Sequence, residues 1–459
     1  MWGFLAALAS AVLMAIGRDT GQYGWLMLIA PVPLMVWSLK QDKAWPVAAL
    51  AFAAGLAGET GPMLYYGRIL ALIYAMAVLQ ALLFMGAVLF LRRLYRRGWV
   101  ALAPLGYAAM IVAIEYIYGL VSPNGSFGAL GYDLVDVLPL LQSASLGGLG
   151  ILSFLAAIVP AGLAIAILEP RDIRAWAVWT APVAAALAFG FWSLGQPMGE
   201  TFKVALVSDD RQVGIAEHRA EHDDEVTAAF EHAFYTQTDR DADFVVLPEK
   251  MFVMSDASEL SSLAGGPQVV AGIDADAPSS PGRRLNLALL FRQHQNALTY
   301  SKQHMVPGLE SRYVPGHQPL IVDDNRPDAR VGVAICKDMD FAGTLRVYGQ
   351  HDVRLMLLPA WDFGADRYLH GRMAVVRAVE NGFALARTAS EGLMTVSDSH
   401  GRIIAEKATR RGLEVLTAEV PLGRGHSVYS QIGDAFAQLL TAVWVGLWVL
   451  LIWRRKVEA

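Results

Sequence analysis

Long apolar stretches fill the chain up to residue 194 and return once between residues 436 and 453, and the segment between them has the mixed polarity of an ordinary globular protein. The cleanest stretch covers residues 69–91, 23 residues without a charge. As a helix it reaches about 34 Å and crosses a hydrocarbon core of about 30 Å. Less clean stretches lie at residues 2–16, 23–39, 45–57, 99–120, 150–168, 175–194 and 436–453. The pattern predicts eight membrane spans, seven before the polar segment and one after it. The chain is thereby expected to divide into a seven-span bundle over 1–198, a polar domain over 199–431, and a last span with its tail over 432–459. Residues 1–17 lack the basic start of a signal peptide, so they are read as the first span.

Inside the polar segment the period changes. Short β-branched runs at residues 202–207, 244–247, 269–273, 287–291, 330–335, 353–358 and 393–396 are interleaved with helical patterns at 213–238 and 370–382. Alternating strands and helices predict a layered α/β fold rather than a sandwich of strands alone. The segment is long enough to build its own core.

Composition agrees with a membrane protein: 55% of residues are hydrophobic, 17% are charged, and the mean hydropathy is +0.39. Basic residues of the short loops fall at Lys40 and Lys43, at Arg92, Arg93, Arg96 and Arg97, at Arg171 and Arg174, and at Arg454, Arg455 and Lys456. These are alternate loops and the C-terminus, which the positive-inside rule places in the cytoplasm. The polar domain is then expected on the opposite face, which in a bacterium is the periplasmic side of the inner membrane. A net charge of −5 and an isoelectric point near 6.1 give no reason to expect nucleic acid. Trp45, Trp99, Trp176 and Trp453 sit near span ends as interfacial anchors. The sequence shows no phosphate-binding glycine loop and no zinc-ligand spacing, so neither a metal nor a cofactor is expected.

Three expected strand ends carry reactive groups. Glu249 closes Phe244-Val-Val-Leu-Pro-Glu249, Lys302 follows Tyr300-Ser, and Cys336, the single cysteine, ends the apolar run Val331-Gly-Val-Ala-Ile. A carboxylate, an ammonium and a thiol together make a set for acyl transfer: a base for the thiol proton, a nucleophile for a carbonyl, and a cation for the oxyanion. Asp338 lies two residues beyond the thiol, where its carboxylate can bond the amides of the same turn. Lys337 is read as solvated, and Arg377 with Glu380 as a helix-stabilising pair three residues apart. Glu115, inside a span, is expected to face the bundle interior or a water-filled cavity.

These segments resemble the nitrilase superfamily, whose members carry a Glu-Lys-Cys triad on an αββα sandwich. The matching motifs are Leu-Pro-Glu249, Tyr-Ser-Lys302-Gln-His-Met-Val-Pro, Ile-Cys336-Lys-Asp and Arg377-Ala-Val-Glu-Asn381, in the order of that family. With the expected spans, the chain is similar to the membrane branch of the superfamily, the apolipoprotein N-acyltransferases. Gly131-Tyr132, Pro139-Leu-Leu-Gln142, Ser153-Phe154 and Glu115 match that branch as well. The resemblance implies a multi-pass α-helical membrane domain plus an α/β nitrilase-like αββα domain. It also implies a phospholipid acyl donor, a lipoprotein acceptor, and a second active-site glutamate at Glu310.

Departures from the branch are specific. Its Cys-Tyr-Glu is here Cys336-Lys337-Asp338, and its Val-Pro-Phe-Gly-Glu is Val306-Pro-Gly-Leu-Glu310. Its Asn-Asp-Ala-Trp-Phe is Pro359-Ala-Trp361-Asp-Phe363, the Asn after the strand holding Arg387 is Ser390, and its Pro-Trp is Ser126-Phe127. Two rival functions follow: a membrane-anchored amidase hydrolysing a C–N bond with water as acceptor, and a catalytically silent scaffold.

Overall fold

The computed structural model describes residues 1–18, 22–67, 72–209, 241–254, 266–324, 326, 329–364, 366–410 and 412–458. It contains two compact units, Met1–Gly195 with Ile432–Ala459, and Gln196–Gln431.

The first unit is helical. Its longer helices are Trp2–Gly17, Ala44–Gly58, Leu72–Arg96, Ala103–Val121, Ala144–Leu168, Ile173–Leu194 and Ala435–Glu458. Among the described residues five helices are long and apolar enough to cross a membrane, six if the pair Ala44–Gly58 and Thr60–Tyr66, bent by 46°, is one span. The apolar stretch at 23–39 is not a single helix. It splits into a 3₁₀ turn, Gly24–Leu28, and a short helix, Val32–Leu39, because Pro31 and Pro33 supply no N–H to carry a helix through. Small residues bring the helices close: a Cβ on Gly190 would sit 1.8 Å from the Pro139 carbonyl oxygen.

Polar contacts pin one end of this unit. Arg92 donates to the carbonyls of Gln41 and Asp42, both at 2.7 Å, and Arg96 to that of Gln41 at 2.7 Å. Tyr95 donates to Glu169 at 2.7 Å. The basic loops at 40–43, 92–97 and 169–174 therefore gather at the same end. Elsewhere in the unit, Arg18 pairs with Glu59 at 2.6 Å, and Glu115 accepts the Leu130 N–H at 2.7 Å. All three line one cavity together with Gln80 and Tyr107, so Glu115 faces a cavity as its position in an apolar span requires. Gly131 and Ser153, singled out by their resemblance, meet through a 3.0 Å bond from the Gly131 amide to the Ser153 hydroxyl.

In the second unit the described residues form thirteen strands: β1 (Thr201–Asp209), β2 (Phe244–Val246), β3 (Phe252–Met254), β4 (Gln268–Asp276), β5 (Arg284–Phe291), β6 (Leu298–Ser301), β7 (Leu320–Asp323), β8 (Arg330–Val333), β9 (Leu355–Trp361), β10 (Ala384–Ser390), β11 (Leu393–Ser397), β12 (Ile403–Ala408) and β13 (Leu413–Pro421). One sheet has the order β13-β1-β2-β4-β5-β6, with β3 also paired to β4, and the other β12-β11-β10-β9-β8-β7. Each has parallel pairs at its centre, β1 with β2 and β2 with β4 in the first, β8 with β9 and β9 with β10 in the second. Antiparallel strands form the flanks.

The sheets stack through bonds such as Thr388 to the Val207 carbonyl and Ser208 to the Ala389 carbonyl, both 3.2 Å. Alternate residues of the first sheet, Val207, Val245, Val269, Ala271 and Leu289, form a buried cluster on one face. Helices Ala342–Gln350 and Arg367–Asn381 belong to the second sheet's side of the unit, the longer one packing on β10 and β11. The helical pattern at 213–238 lies outside the described residues.

Strand β9 continues three residues beyond the stretch expected from the sequence and contains Pro359. The register explains this. Strand β8 stops pairing at Val333, opposite Leu357, so the neighbour that a residue-359 N–H would have bonded has already turned away toward Cys336.

Gly272 on β4 is fixed by a close approach: a Cβ there would lie 2.1 Å from the Pro248 carbonyl oxygen and 2.6 Å from the Glu249 Cα. Only glycine lets the turn after β2 dock on the sheet. Gly272→Ala is expected to displace that turn, lowering the melting temperature and reducing alkylation of Cys336 by a lipid-like electrophile at least tenfold. A melting scan and thiol labelling of the purified protein check both.

Candidate active site

The carboxyl ends of the central parallel strands β2, β8 and β9 lead into Glu249, Cys336 and Trp361 respectively, the edge at which open parallel sheets bind ligands. The Glu249 amide donates to the Ala360 carbonyl at 3.3 Å, joining the turn after one sheet's strand to a strand of the other. Lys302 follows β6, its amide donating to the Asn286 carbonyl at 2.9 Å and its carbonyl accepting the Gly316 amide at 2.7 Å.

The three side chains nominated at these strand ends converge. The Lys302 ammonium donates to Glu249 Oε1 at 2.8 Å and to Glu310 Oε2 at 2.8 Å, and all three residues are at most 3% exposed. Glu310 also accepts the Val306 amide at 2.8 Å, which closes its own turn. Cys336 is partly buried. Its thiol donates to the Trp361 carbonyl at 3.4 Å, and it lies within electrostatic reach of Glu249 and Lys302. Its φ of 42° is unusual for a side chain with a Cβ, the kind of strained backbone that turns a nucleophile out of a strand.

Burial pushes the Cys336 thiol well above its ordinary range; the Glu249 charge adds to this, and the Lys302 charge opposes it. At neutral pH Cys336 therefore rests as a thiol, and a nucleophilic role for it would require a base to take its proton. Burial disfavours the Lys302 ammonium, but the carboxylates of Glu249 and Glu310 outweigh that penalty and hold its pKa well above that of a free lysine. The same pairing overcomes burial at Glu310 and keeps its carboxyl far below the usual range. A fixed ammonium beside a protonated thiol and a carboxylate can bind a carbonyl oxygen, accept a proton and form a covalent acyl adduct.

Asp338 does more than bond its own turn. Its Oδ2 accepts the Ile335 amide at 3.1 Å and the Tyr300 hydroxyl at 2.7 Å, and its Oδ1 accepts the amides of Gln303 and His304 at 3.1 and 2.9 Å. One buried carboxylate thus ties the thiol turn to the residues on both sides of Lys302. Burial pushes this carboxyl up to about 6 against the pull of those donors.

One reading needs correction. Lys337 is not solvated: it is 9% exposed, pairs with Asp340 at 3.2 Å and lies 6.0 Å from the Phe341 ring centre. Arg377 and Glu380 form the ion pair expected from their spacing; it is fully buried, and Arg377 also donates to the Met339 carbonyl at 2.9 Å. Ser390 ends β10 opposite Trp361, and its carbonyl accepts the Asp362 amide at 3.0 Å.

Several site residues escaped the sequence reading. Asn286 donates to Glu249 at 2.6 Å and to Glu310 at 3.1 Å; its signal was a lone amide in the otherwise apolar core of Arg284–Phe291. Lys250 donates to Glu310 at 2.9 Å and was hidden by its position beside a catalytic candidate. Asp362 and Arg387 form a buried pair beside Trp361, with one contact at 3.1 Å.

A family model for the carbon-nitrogen hydrolases matches residues 236–429. The fold and its buried carboxylate-lysine-thiol grouping accordingly define the second unit as a carbon-nitrogen hydrolase domain of the nitrilase superfamily. The model for the apolipoprotein N-acyltransferase N-terminal domain matches residues 10–162. The chain is 28% identical to the apolipoprotein N-acyltransferase of Geobacter metallireducens, over 95% of this chain and 92% of that one. It is 28% identical to the enzyme of the same name from Bradyrhizobium diazoefficiens, over 77% and 73%. Among solved structures it is similar to Saccharomyces cerevisiae Nit3, a member of the nitrilase superfamily, with 22% identity, a TM-score of 0.41, and coverage of 49% of this chain and 91% of that one. The chain belongs to the apolipoprotein N-acyltransferases, the membrane branch of the nitrilase superfamily.

Asp338→Ala is expected to leave three backbone amides and a tyrosine hydroxyl without their acceptor. At about 1–3 kcal/mol for each buried donor left unpaired, the catalytic domain should lose at least about 3 kcal/mol of stability. Asp338→Asn, which keeps one acceptor oxygen, should fall between this variant and the wild type. Denaturant unfolding followed by tryptophan fluorescence measures both.

Proposed function

We propose that this protein is an N-acyltransferase that moves a fatty acyl chain from a phospholipid, through a thioester on Cys336, to the α-amine of the lipidated N-terminal cysteine of lipoproteins. What carries this reading over amide hydrolysis is the apolar helical unit matched at residues 10–162 to the N-terminal domain of that family. Two lipid substrates with water-insoluble chains need a membrane-embedded partner for the catalytic domain, whereas a small amide does not.

In the first step Glu249 takes the Cys336 proton as the sulfur attacks the ester carbonyl. The Lys302 ammonium stabilises the oxyanion, and the alkoxide of the lysophospholipid leaves with the proton that Glu249 holds. In the second step the free amine attacks the thioester, Glu249 accepts a proton from it, and the sulfur leaves to be reprotonated. The raised thiol pKa supports this sequence, since the base is needed in both directions. Glu310 and Asn286 hold Glu249 and Lys302 in place. The protein is multi-pass, with its catalytic domain on the periplasmic side of the inner membrane. The gathering of the basic loops at one end of the helical unit supports that orientation.

Given phospholipid and no acceptor, the wild-type enzyme should accumulate an acyl adduct that neutral hydroxylamine cleaves. Adding a diacylated lipopeptide with a free N-terminal amine should discharge it to an amide. Cys336→Ser should accumulate little adduct, and Glu249→Gln should lower the rate of its formation at least a hundredfold. Mass spectrometry of the intact protein and of the peptide reads each arm. Discharge by water at the same rate, with no amide formed, would make the protein a hydrolase.

For topology, a reporter fused after Trp453 should read cytoplasmic and one inserted at Ser280, in the turn between β4 and β5, should read periplasmic. Both reporters on one side of the membrane would reject the orientation.

A further inference from the structure

Lys250 belongs to neither the nominated triad nor its supporting residues, yet its geometry ties it to both. It follows Glu249 directly, holds a left-handed backbone with φ of 52°, and is 8% exposed. Its ammonium donates to Glu310 Oε1 at 2.9 Å and lies 3.9 Å from Glu249 Oε1. The rings of Trp361 and Tyr313 flank it at 5.1 and 5.2 Å. Two carboxylates and two ammoniums therefore share one buried site, and their formal charges cancel.

With Lys302 alone, two carboxylates each 2.8 Å from one ammonium would carry a net negative charge away from water. The two carboxylates also bond the same Asn286 amide nitrogen, and like charges sharing a buried site drive one carboxyl to hold a proton. A proton on either one weakens the base or releases the ammonium from its fixed place.

We propose that Lys250 is a positioning residue for the acyl transfer, neutralising Glu310 so that Glu249 stays ionised and Lys302 stays aimed at the reacting carbonyl. The inference rests on the assignment of Glu249 as base. The charged and titratable groups around Lys250 include Glu249, Glu310 and Tyr313, and Lys302 bonds the same two carboxylates. Tyr313 donates to Asp274 at 2.7 Å and has Arg312 5.5 Å from its ring centre, so its hydroxyl proton is already committed.

The test is the pH profile of thioester formation in single turnover, using the full-length enzyme in detergent and a phospholipid with a fluorescent acyl chain. Losing a cation this close raises carboxylate pKa values by about one to three units, so the acid limb of Lys250→Met should move to higher pH by about that much. Lys250→Arg should keep the wild-type limb. The double variant Lys250→Met with Glu310→Gln, which removes one charge of each sign, should bring the limb back toward the wild type. If Lys250→Met does not melt cooperatively, Glu310→Gln and the double variant carry the comparison, and the limb of the double should lie at the higher pH of the two. A Lys250→Met profile of wild-type shape and merely lower height, or coincident limbs for Glu310→Gln and the double, would overturn the proposal. A Glu249→Gln enzyme that acylates normally would instead overturn the base assignment, whatever Lys250 does.

Discussion

The Lys302 ammonium, bonded at 2.8 Å to both Glu249 and Glu310, is the constraint on which the catalytic domain turns. A lysine only 1% exposed is tolerated because the attraction of two carboxylates outweighs its desolvation. Removing any one partner would strand the others as uncompensated buried charges, a cost of about 3–5 kcal/mol. The three residues come from the turn after β2, the end of β6 and the loop that follows it, so their pairing also fixes three separate segments relative to one another. The geometry of the candidate site and the stability of this edge of the domain thus depend on the same set of bonds.

The positions of Glu249, Lys302 and Cys336 were legible because each closes a short buried run, and a charged or reactive residue at such a boundary stands out against its neighbours. Their convergence was not legible from spacing and came from resemblance to a known order of motifs. Asn286 and Lys250 were missed for a physical reason. An amide within a strand and a lysine beside a glutamate look like solvated positions until two sheets close over them. Lys337 misled differently: its partners Asp340 and Phe341 are only three and four residues on, but they meet it because residues 336–340 wind into a 3₁₀ turn that the sequence reading did not anticipate. The buried Arg377–Glu380 pair shows the converse: helical spacing found the pair, but its burial and its bond to the Met339 carbonyl depend on tertiary packing.

In the helical unit, hydropathy located the apolar stretches but not their breaks. Residues 23–39 are apolar enough for a span, yet Pro31 and Pro33 interrupt the hydrogen-bond ladder, a local rule that overrides average composition. The polar residues behave consistently with a low-dielectric surround. Arg18 and Glu59 pair, and Glu115 takes a backbone amide as donor, with all of them opening on the same cavity rather than on the apolar exterior.

The electrostatics of the catalytic domain argue for a particular style of covalent catalysis. Many reactive cysteines are activated by a nearby cation that stabilises a resting thiolate. Here burial and the Glu249 charge raise the thiol pKa, and most of the charge of Lys302 is already answered by its two carboxylates. The thiol therefore rests protonated, and its attack on a carbonyl would need a base to take that proton. In the acyl transfer proposed above, that arrangement asks one carboxylate, Glu249, to take the thiol proton in the first step and the amine proton in the second. The same charge balance that keeps Lys302 buried thus also holds in place the carboxylate that both steps would use.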